Sequence, residues 1–175
     1  MNNIAVIYKS KYGTTQKYAE WIAEALGTTA INADDIKPAQ LKQYDLVIFG
    51  GGLYVGHIAG ISLVIKKKLK NLVVFTVGLT NPATTNYSAA LAKSLPKEIR
   101  ESAKFFHLHG TFDFEKLGFM HRSVMGALKK ALAKKDETKM TDDERTMSAA
   151  LAKSVDHTDK NAIKPIVDYV KGMQS

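Results

Sequence analysis

A short run of hydroxyl residues follows the first apolar segment of the chain. The run consists of Ser10, Lys11, Tyr12, Gly13, Thr14 and Thr15. It stands between a β-branched segment, Ile4 to Tyr8, and a segment of helical period that ends at Leu26. The first turn of a helix has free backbone N–H groups and partial positive charge, to which the hydroxyls and Lys11 add donors and a full charge. The run therefore predicts a phosphate site, although Ser and Thr are also typical of plain helix capping.

Two later segments could enclose a planar ligand. The first contains Gly50, Gly51, Gly52, Leu53, Tyr54, Val55, Gly56 and His57, and it follows a strongly apolar run. Its glycines allow close backbone approach, and Tyr54 could present a flat ring for stacking, unless the segment is simply a glycine-rich turn with a surface tyrosine. The second contains Thr76, Val77, Gly78 and Leu79 and runs on to Tyr87. A heterocycle could lie between these two loops.

Other nucleotide-binding motifs do not fit the chain. A dinucleotide fingerprint requires three spaced glycines in the first turn, which has only Gly13. Gly51 and Gly56 have the spacing of a phosphate-loop pair, but His57 and Ile58 stand where Lys and Ser or Thr are needed. A receiver domain would require carboxylates at the ends of the first and third strands, and this chain has none there.

Apolar runs alternate with segments of helical period along the first two thirds of the chain. Strands are predicted over Ile4–Tyr8, Thr28–Asn32, Asp45–Gly51, Asn71–Val77 and Phe105–Phe112, and helices over Thr14–Leu26, Ile58–Leu69 and Thr85–Leu95. Alternating strands and helices with short connections predict a doubly wound α/β fold with a five-stranded parallel sheet of the flavodoxin-like order 2-1-3-4-5. In such a sheet the ligand binds beyond the carboxyl ends of the strands, where the three loops meet.

The last third of the chain departs from this alternation. Apolar residues at helical spacing predict a helix from Leu117 to Lys135, flanked by Arg122, Lys129, Lys130, Lys134 and Lys135. Thr141 and Glu144 form a capping box that opens a helix to about Lys153, and Ala162–Val170 is the closing helix. No linker interrupts the chain, so residues 1–175 are expected to form one domain, with a helical insertion over 113–158 after or within the last strand. The basic helix either covers the sheet core or forms a lid or docking surface for an anionic apolar substrate or a membrane face.

Composition excludes several classes of site. The chain has no cysteine, which excludes disulfides, thiolate metal sites and cysteine nucleophiles, and no spacing of metal ligands is present. The net charge of +8 is not accompanied by a nucleic-acid motif, so it is attributed to solvated helix faces. Neither a signal peptide nor a long apolar span is evident, and we expect a cytoplasmic protein.

Together these features resemble the flavodoxin superfamily, and more closely its protoporphyrinogen dehydrogenase branch, the menaquinone-dependent protoporphyrinogen oxidases. The resemblance covers essentially the whole chain. It is carried by Ser10–Thr15, by the Gly-x-x-x-x-Gly-His stretch Gly51–His57, by Asn86–Tyr87, and by the basic inserted helix followed by Lys153–Asp156.

The resemblance implies FMN as cofactor and assigns residues to it. Ser10, Lys11, Tyr12, Gly13, Thr14 and Thr15 would form the phosphate loop. Gly52, Leu53 and Tyr54 would flank one side of the flavin ring, while Thr76, Val77, Gly78 and Leu79 would contact its other edge, with Tyr87 as a further candidate. The partners implied are a quinone, a small anionic apolar substrate or a redox protein, with peripheral membrane contact through the Leu117–Lys135 helix.

The charge around the ring bears on whether the protein is an enzyme or a carrier. The two ring loops, residues 50–57 and 76–87, contain no Asp or Glu, and the molecule is cationic. Coulomb attraction should stabilise the reduced, anionic flavin, which favours a mild two-electron enzyme over a one-electron carrier that docks on partner enzymes. His57 could shuttle protons beside the ring or be a surface histidine. His107 and His109 share one face of the fifth strand and are expected to be structural or solvated.

Overall fold

Five parallel strands form the centre of the molecule. The computed structural model describes residues 3–54, 56–66 and 69–174. The strands in chain order are β1 (Ile4–Lys9), β2 (Ala30–Asn32), β3 (Leu46–Tyr54), β4 (His57–Ile58), β5 (Leu72–Gly78) and β6 (Lys104–His109). The sheet order is β2-β1-β3-β5-β6, and the short β4 turns back antiparallel against the end of β3. Without that hairpin strand, this is the predicted order 2-1-3-4-5.

Helices cover both faces of the sheet. They are α1 (Thr14–Ala25), α2 (Ser62–Ile65), α3 (Ser88–Ser94), α4 (Lys97–Ser102), α5 (Phe119–Ala133), α6 (Asp142–Ala152) and α7 (Lys164–Gly172). Successive side chains of a strand point to opposite faces, so Val6 and Ile48 pack with α1 and α7, whereas Ile7 and Phe49 pack with α2 to α4. Because both faces are covered, the central strands are largely apolar. The doubly wound prediction is confirmed.

Several boundaries differ from the sequence prediction for local reasons. The helix predicted over residues 58–69 is reduced to α2, because Ile58 belongs to β4 and Gly60 adopts a φ of 71° ahead of the helix. Residues 67 and 68 of that prediction lie outside the described part of the chain. The helix predicted over residues 85–95 begins later, at Ser88, and Pro96 separates it from α4.

The fifth predicted strand is divided at Gly110. The N–H of Gly110 donates to the carbonyl of Gly78, at the end of the pairing between β6 and β5. The chain then forms β7 (Thr111–Phe112), which pairs antiparallel with β8 (Val155–Asp156). This short ribbon brings together the two ends of the helical insertion.

The insertion has a small core of its own. Leu132, Met140 and Leu151 are buried there, and α5 and α6 pack against each other around them. The capping box predicted at the start of α6 is confirmed: the N–H of Glu144 donates to the Thr141 hydroxyl at 3.2 Å, and the Thr141 N–H donates to the Glu144 carboxylate at 2.9 Å. Across the described residues, no helix combines the length and apolarity that crossing a bilayer would require.

Candidate functional site

A cavity of about 400 Å³ opens at the carboxyl edge of the sheet. Its volume lies within the range of small-molecule sites. One side, here called the strand-end wall, consists of the residues after β1, at the end of β3 and at the end of β5: Ser10, Tyr12, Thr14, Thr15, Gly52, Leu53, Tyr54, Val77, Gly78 and Leu79. The opposite side, the insertion wall, consists of Leu117, Val124, Met125 and Met147. The segment from Gly110 to Asp113 joins the two walls.

The loop after β1 has a backbone conformation and side chains that suit an anion. Gly13 turns the chain with a φ of 90°, a conformation that glycine adopts without strain, and its N–H donates to the Ser10 hydroxyl at 3.0 Å. Because glycine is the N-cap of α1, no N-cap side chain occupies the N–H groups of the first turn. Thr14 and Thr15 stand in that turn and line the cavity. Plain capping by Ser or Thr at the N-cap, the alternative left open by the sequence, is therefore not what the loop does.

Lys11 lies beside the cavity instead of in its lining. It borders a neighbouring open groove together with Lys9, Ser10, Tyr54 and Ala59. Its ammonium group lies 5.8 Å from the centre of the Tyr12 ring. Lys9 forms an ion pair with Asp34. A positive charge thus remains close to the phosphate loop without entering it.

Only one of the three consecutive glycines serves the cavity. A Cβ atom on Gly50 would lie 2.1 Å from the Phe75 ring, and one on Gly51 would lie 2.4 Å from the Ile58 side chain. These two glycines are therefore required by packing inside β3. Gly52 lines the cavity, and β3 continues past it to Tyr54 before the hairpin to β4. The predicted second loop is thus mostly strand, and its residue Val55 lies outside the described residues.

Tyr54 and Tyr12 form an aromatic pair at the cavity margin. Their ring centres are 6.2 Å apart with an angle of 74° between the planes, an edge-to-face arrangement. Burial raises the pKa of the Tyr54 phenol, so the group is neutral at physiological pH. A neutral aromatic side chain at this position suits contact with a flat ligand.

The third loop divides into residues that line the cavity and residues that lie beneath it. Val77, Gly78 and Leu79 line it. Thr76 is buried and pairs with Nδ1 of His107 at 2.5 Å, and Tyr87 stacks on the same His107 ring with centres 3.6 Å apart. Burial lowers the pKa of His107 to about 4, so the stack is neutral. Thr76 and Tyr87, both predicted to touch the ring, are placed in the layer that supports the loop.

The predicted proton shuttle is not among the described residues that line the cavity. His57 is exposed in β4, paired with Tyr54 across the hairpin, and is not among the lining residues. His109 lies closer, because its Nε2 atom is 2.7 Å from the Leu79 carbonyl oxygen. That role for His57 stays a prediction from sequence.

Two groups of lining residues were missed from the sequence. Gly110, Thr111, Phe112 and Asp113 follow the last parallel strand, and their place at the carboxyl edge was the signal that could have found them. Asp113 is the one acidic side chain of the described lining, and it accepts hydrogen bonds from the Glu115 N–H at 3.1 Å and the Ser154 hydroxyl at 3.0 Å. Met147 is contributed by α6, and no spacing in the sequence linked it to the cavity.

The cavity fits FMN by its own chemistry. The hydroxyls and the uncapped N–H groups at the start of α1 suit a phosphate. Gly52 and Gly78 contribute no side chain to the cavity, and the rest of its lining is largely apolar. A Cβ on Gly52 would meet the Tyr54 ring at 2.8 Å, so this position tolerates no larger residue. The donor set, with no charged cluster and an aromatic margin, matches a planar heterocycle on a phosphate tail.

The chain is similar to a known domain family and to several known proteins. A family model described as a flavodoxin domain matches residues 5–140. An uncharacterized protein of Methanocaldococcus jannaschii is 30% identical over 116 residues, which is 61% of this chain and 71% of that protein. Among solved structures, an archaeal flavodoxin aligns with 61% of this chain and 82% of its own, at 16% identity and a TM-score of 0.45. A flavoprotein from Lactobacillus acidophilus, solved in complex with FMN, aligns with 62% of this chain and 93% of its own, at 15% identity and a TM-score of 0.41.

Proposed function

The chain belongs to the flavodoxin-domain family, and on that premise we propose that it is an FMN-dependent oxidoreductase acting on a small apolar substrate. The observation that carries this proposal is the insertion wall. Flavin loops of a flavodoxin-like domain make one side of the cavity, while four apolar side chains from a separate helical segment make the other. FMN supplies the redox chemistry when bound, and the protein supplies position, water exclusion and charge.

The phosphate loop would anchor the cofactor. Ser10, Thr14 and Thr15 present hydroxyls at the start of α1, and the backbone N–H groups of the first turn point the same way. The partial positive charge of the helix terminus favours the phosphate dianion, and Lys11 adds long-range attraction from the adjoining groove. These groups would determine the affinity for the FMN phosphate, and the other two loops would contact the flavin ring.

The ring would lie between the ends of β3 and β5. Gly52, Leu53 and Tyr54 border one side, and Val77, Gly78 and Leu79 border the other. Gly78 has no side chain, so a planar heterocycle could approach its backbone closely. Asp113 is the acidic exception in this lining, and its carboxylate is held by the two hydrogen bonds described above.

The insertion wall favours a two-electron enzyme over a protein-docking carrier. Leu117 and Met125 from the α5 region and Met147 from α6 face the cavity opposite the strand-end wall, so a large partner could not lie flat against the ring. A small apolar molecule could enter and exclude water as it binds. Two electrons and two protons would leave such a substrate, and a quinone would take them up to become a quinol.

The finer assignment is to the protoporphyrinogen dehydrogenase type, with a quinone as electron acceptor. It is supported by the apolar cavity wall, which suits a macrocycle or a quinone, and by the basic residues of α5, which would attract carboxylates. Phe119 is 92% exposed on the same helix and Val124 is 53% exposed. Exposed apolar and basic side chains on one helix support peripheral contact with an anionic membrane, where quinones are dissolved.

The test compares acceptors of different size. The FMN-loaded protein is reduced under anaerobic conditions and mixed either with a short-chain quinone or with cytochrome c, a one-electron acceptor protein. We expect rapid reoxidation by the quinone and slow reoxidation by the protein. Fast reoxidation by cytochrome c alone would contradict the proposal and favour a carrier. Formation of porphyrin fluorescence from protoporphyrinogen would identify the substrate.

A further inference from the structure

We propose that His109 is a positioning residue that, together with His157, fixes the Leu79 segment of the strand-end wall. This inference rests on the proposed flavin site, since Leu79 borders the space assigned to the ring. His109 itself is absent from the cavity lining. It acts through the main chain of its neighbour.

The contact between His109 and Leu79 is a hydrogen bond of defined direction. Nε2 of His109 lies 2.7 Å from the Leu79 carbonyl oxygen. A carbonyl oxygen only accepts, so the proton resides on Nε2 of the imidazole. Leu79 follows directly after β5, where its carbonyl has left the sheet ladder, and the histidine provides the partner that the ladder no longer supplies.

His109 is itself held from three directions. Its ring stacks on His157 with centres 4.1 Å apart and planes 18° from parallel. Its carbonyl accepts from the Tyr18 hydroxyl at 2.8 Å, and that hydroxyl accepts from the Asp159 N–H at 3.1 Å. The His157 N–H donates to Gly110 at 3.3 Å. The third loop and the segment after β8 therefore meet at the imidazole of His109, and helix α1 contacts the backbone carbonyl of the same residue.

How firmly His109 holds the Leu79 segment depends on the charge state of its imidazole. Burial lowers the pKa of His109, the adjacent His157 lowers it further, and the bond to Leu79 acts in the opposite direction. Protonation of His109 would place a positive charge in a partly buried site, which is unfavourable. Because the pKa is lowered in the folded protein, the stabilisation is complete above the ordinary histidine pKa of about 6.5 and declines as the pH falls below it.

Several other charged or titratable groups lie around His109 and His157, and none of them takes the place of His109 in the pH dependence. Lys17 of α1 donates to Thr158 at 3.0 Å, and the Asp156 carboxylate accepts from Thr111 at 3.0 Å. Asp159 accepts from the Asn161 N–H at 2.8 Å. On β6, His107 is engaged with Thr76. Each of these groups has a partner of its own.

The test uses two substitutions in the full chain. His109→Leu removes the hydrogen bond, whereas His109→Gln keeps an amide N–H for the Leu79 carbonyl and cannot be protonated. Two quantities are measured at pH 7.5 and pH 5: the FMN dissociation constant, and hydrogen exchange of the backbone over residues 76–87 without FMN. Lys42→Gln, at an exposed position between β2 and β3 and outside the cavity lining, is the control.

We expect His109→Leu to weaken FMN binding by up to about tenfold at pH 7.5, the usual effect of losing one hydrogen bond, and to speed exchange over residues 76–87. His109→Gln should match the wild type at pH 7.5 and lose less affinity and protection at pH 5. The inference is overturned if the leucine variant equals the wild type in both measurements, or if the glutamine variant fails to rescue it. If the wild type binds no FMN, the proposed function fails. The hydrogen-exchange measurement alone then tests whether His109 positions the Leu79 segment.

Discussion

The strand-end wall and the insertion wall enclose one cavity but are built in different ways. The strand-end wall follows from the sheet, because strands of a doubly wound fold deliver their connecting loops to one edge. It combines hydroxyl side chains (Ser10, Thr14 and Thr15) and two glycines (Gly52 and Gly78) with aromatic and aliphatic side chains. The insertion wall comes from residues 117–147, which the sheet does not position. It has its own core, and the β7–β8 ribbon brings its two ends together.

This difference separates cofactor binding from substrate choice. The strand-end wall carries the polar groups that suit a phosphate and a heterocycle, whereas the insertion wall offers apolar side chains alone. Substitutions in the first wall should therefore change FMN affinity, and substitutions in the second should change the interaction with the substrate.

The largest expected effect concerns the phosphate loop. Replacing Thr14 by Ala and Thr15 by Val removes two hydroxyls that line the cavity. Hydrogen bonds to a charged group contribute about 1.5–3 kcal/mol each, so FMN affinity should fall at least about tenfold for each substitution. Fluorescence quenching of free FMN measures the dissociation constant, with Thr28→Val at the far end of α1 as control. Unchanged affinity in the double variant would remove the loop from the site.

The next effect is a pH dependence of stability. His107 has a pKa of about 4, lowered by burial, so its neutral form is favoured in the folded state. Its contribution is complete above the ordinary histidine pKa of about 6.5 and declines as the pH falls from there through 4. Denaturant unfolding between pH 7 and pH 4 should show a smaller decline in the free energy of unfolding for His107→Gln than for the wild type. An equal decline in both would assign the acid sensitivity to other groups.

A third prediction addresses the insertion wall. Val124→Asp places a charge in the apolar lining at a position exposed enough to leave α5 folded. The KM for a short-chain quinone should rise about tenfold, since burying a charge or losing apolar contact costs more than 1 kcal/mol, while FMN affinity stays the same. Ala127→Asp, exposed on the same helix but outside the cavity lining, is the control. If FMN affinity fell instead, the two walls would not be separable.

The smallest expected effect lies on the outer surface of the insertion. Lys130 is exposed in the last turn of α5. Lys130→Gln should weaken binding to vesicles containing anionic lipid about fivefold, because one basic residue near such a surface contributes about 1 kcal/mol. Sedimentation with vesicles measures this, with neutral vesicles as control. Equal binding to both kinds of vesicle would exclude the electrostatic contact.

Sequence patterns were sufficient for the sheet and insufficient for the cavity's far side. Apolar runs such as Leu46–Phe49 identify buried strands, and the rule for ligand position then locates Ser10 and Gly52. The roles of Gly50 and Gly51 were not readable, because their requirement comes from Phe75 and Ile58, which are distant in sequence. Met147 was missed for the same reason, since a contact between two structural units has no period.

Histidines and loop residues show the same limit. Thr76 alternates with Val77 along β5, and the strand period alone places it on the opposite face from the cavity-lining residue. The expectation that His107 and His109 are structural rested on their shared face, but their partners Tyr87 and Leu79 lie in a loop whose path depends on tertiary packing. The sequence predicts which face of the strand each histidine occupies, but it does not predict which residue that histidine contacts.

An anaerobic redox titration of the FMN-loaded protein tests the central claim, that a covered flavin exchanges electron pairs with a small apolar substrate. The account predicts two nearly merged one-electron steps at a mild potential, because the cationic protein stabilises the reduced, anionic flavin. Two widely separated steps, with the lower one at a very low potential, would contradict it and identify the chain as a one-electron carrier.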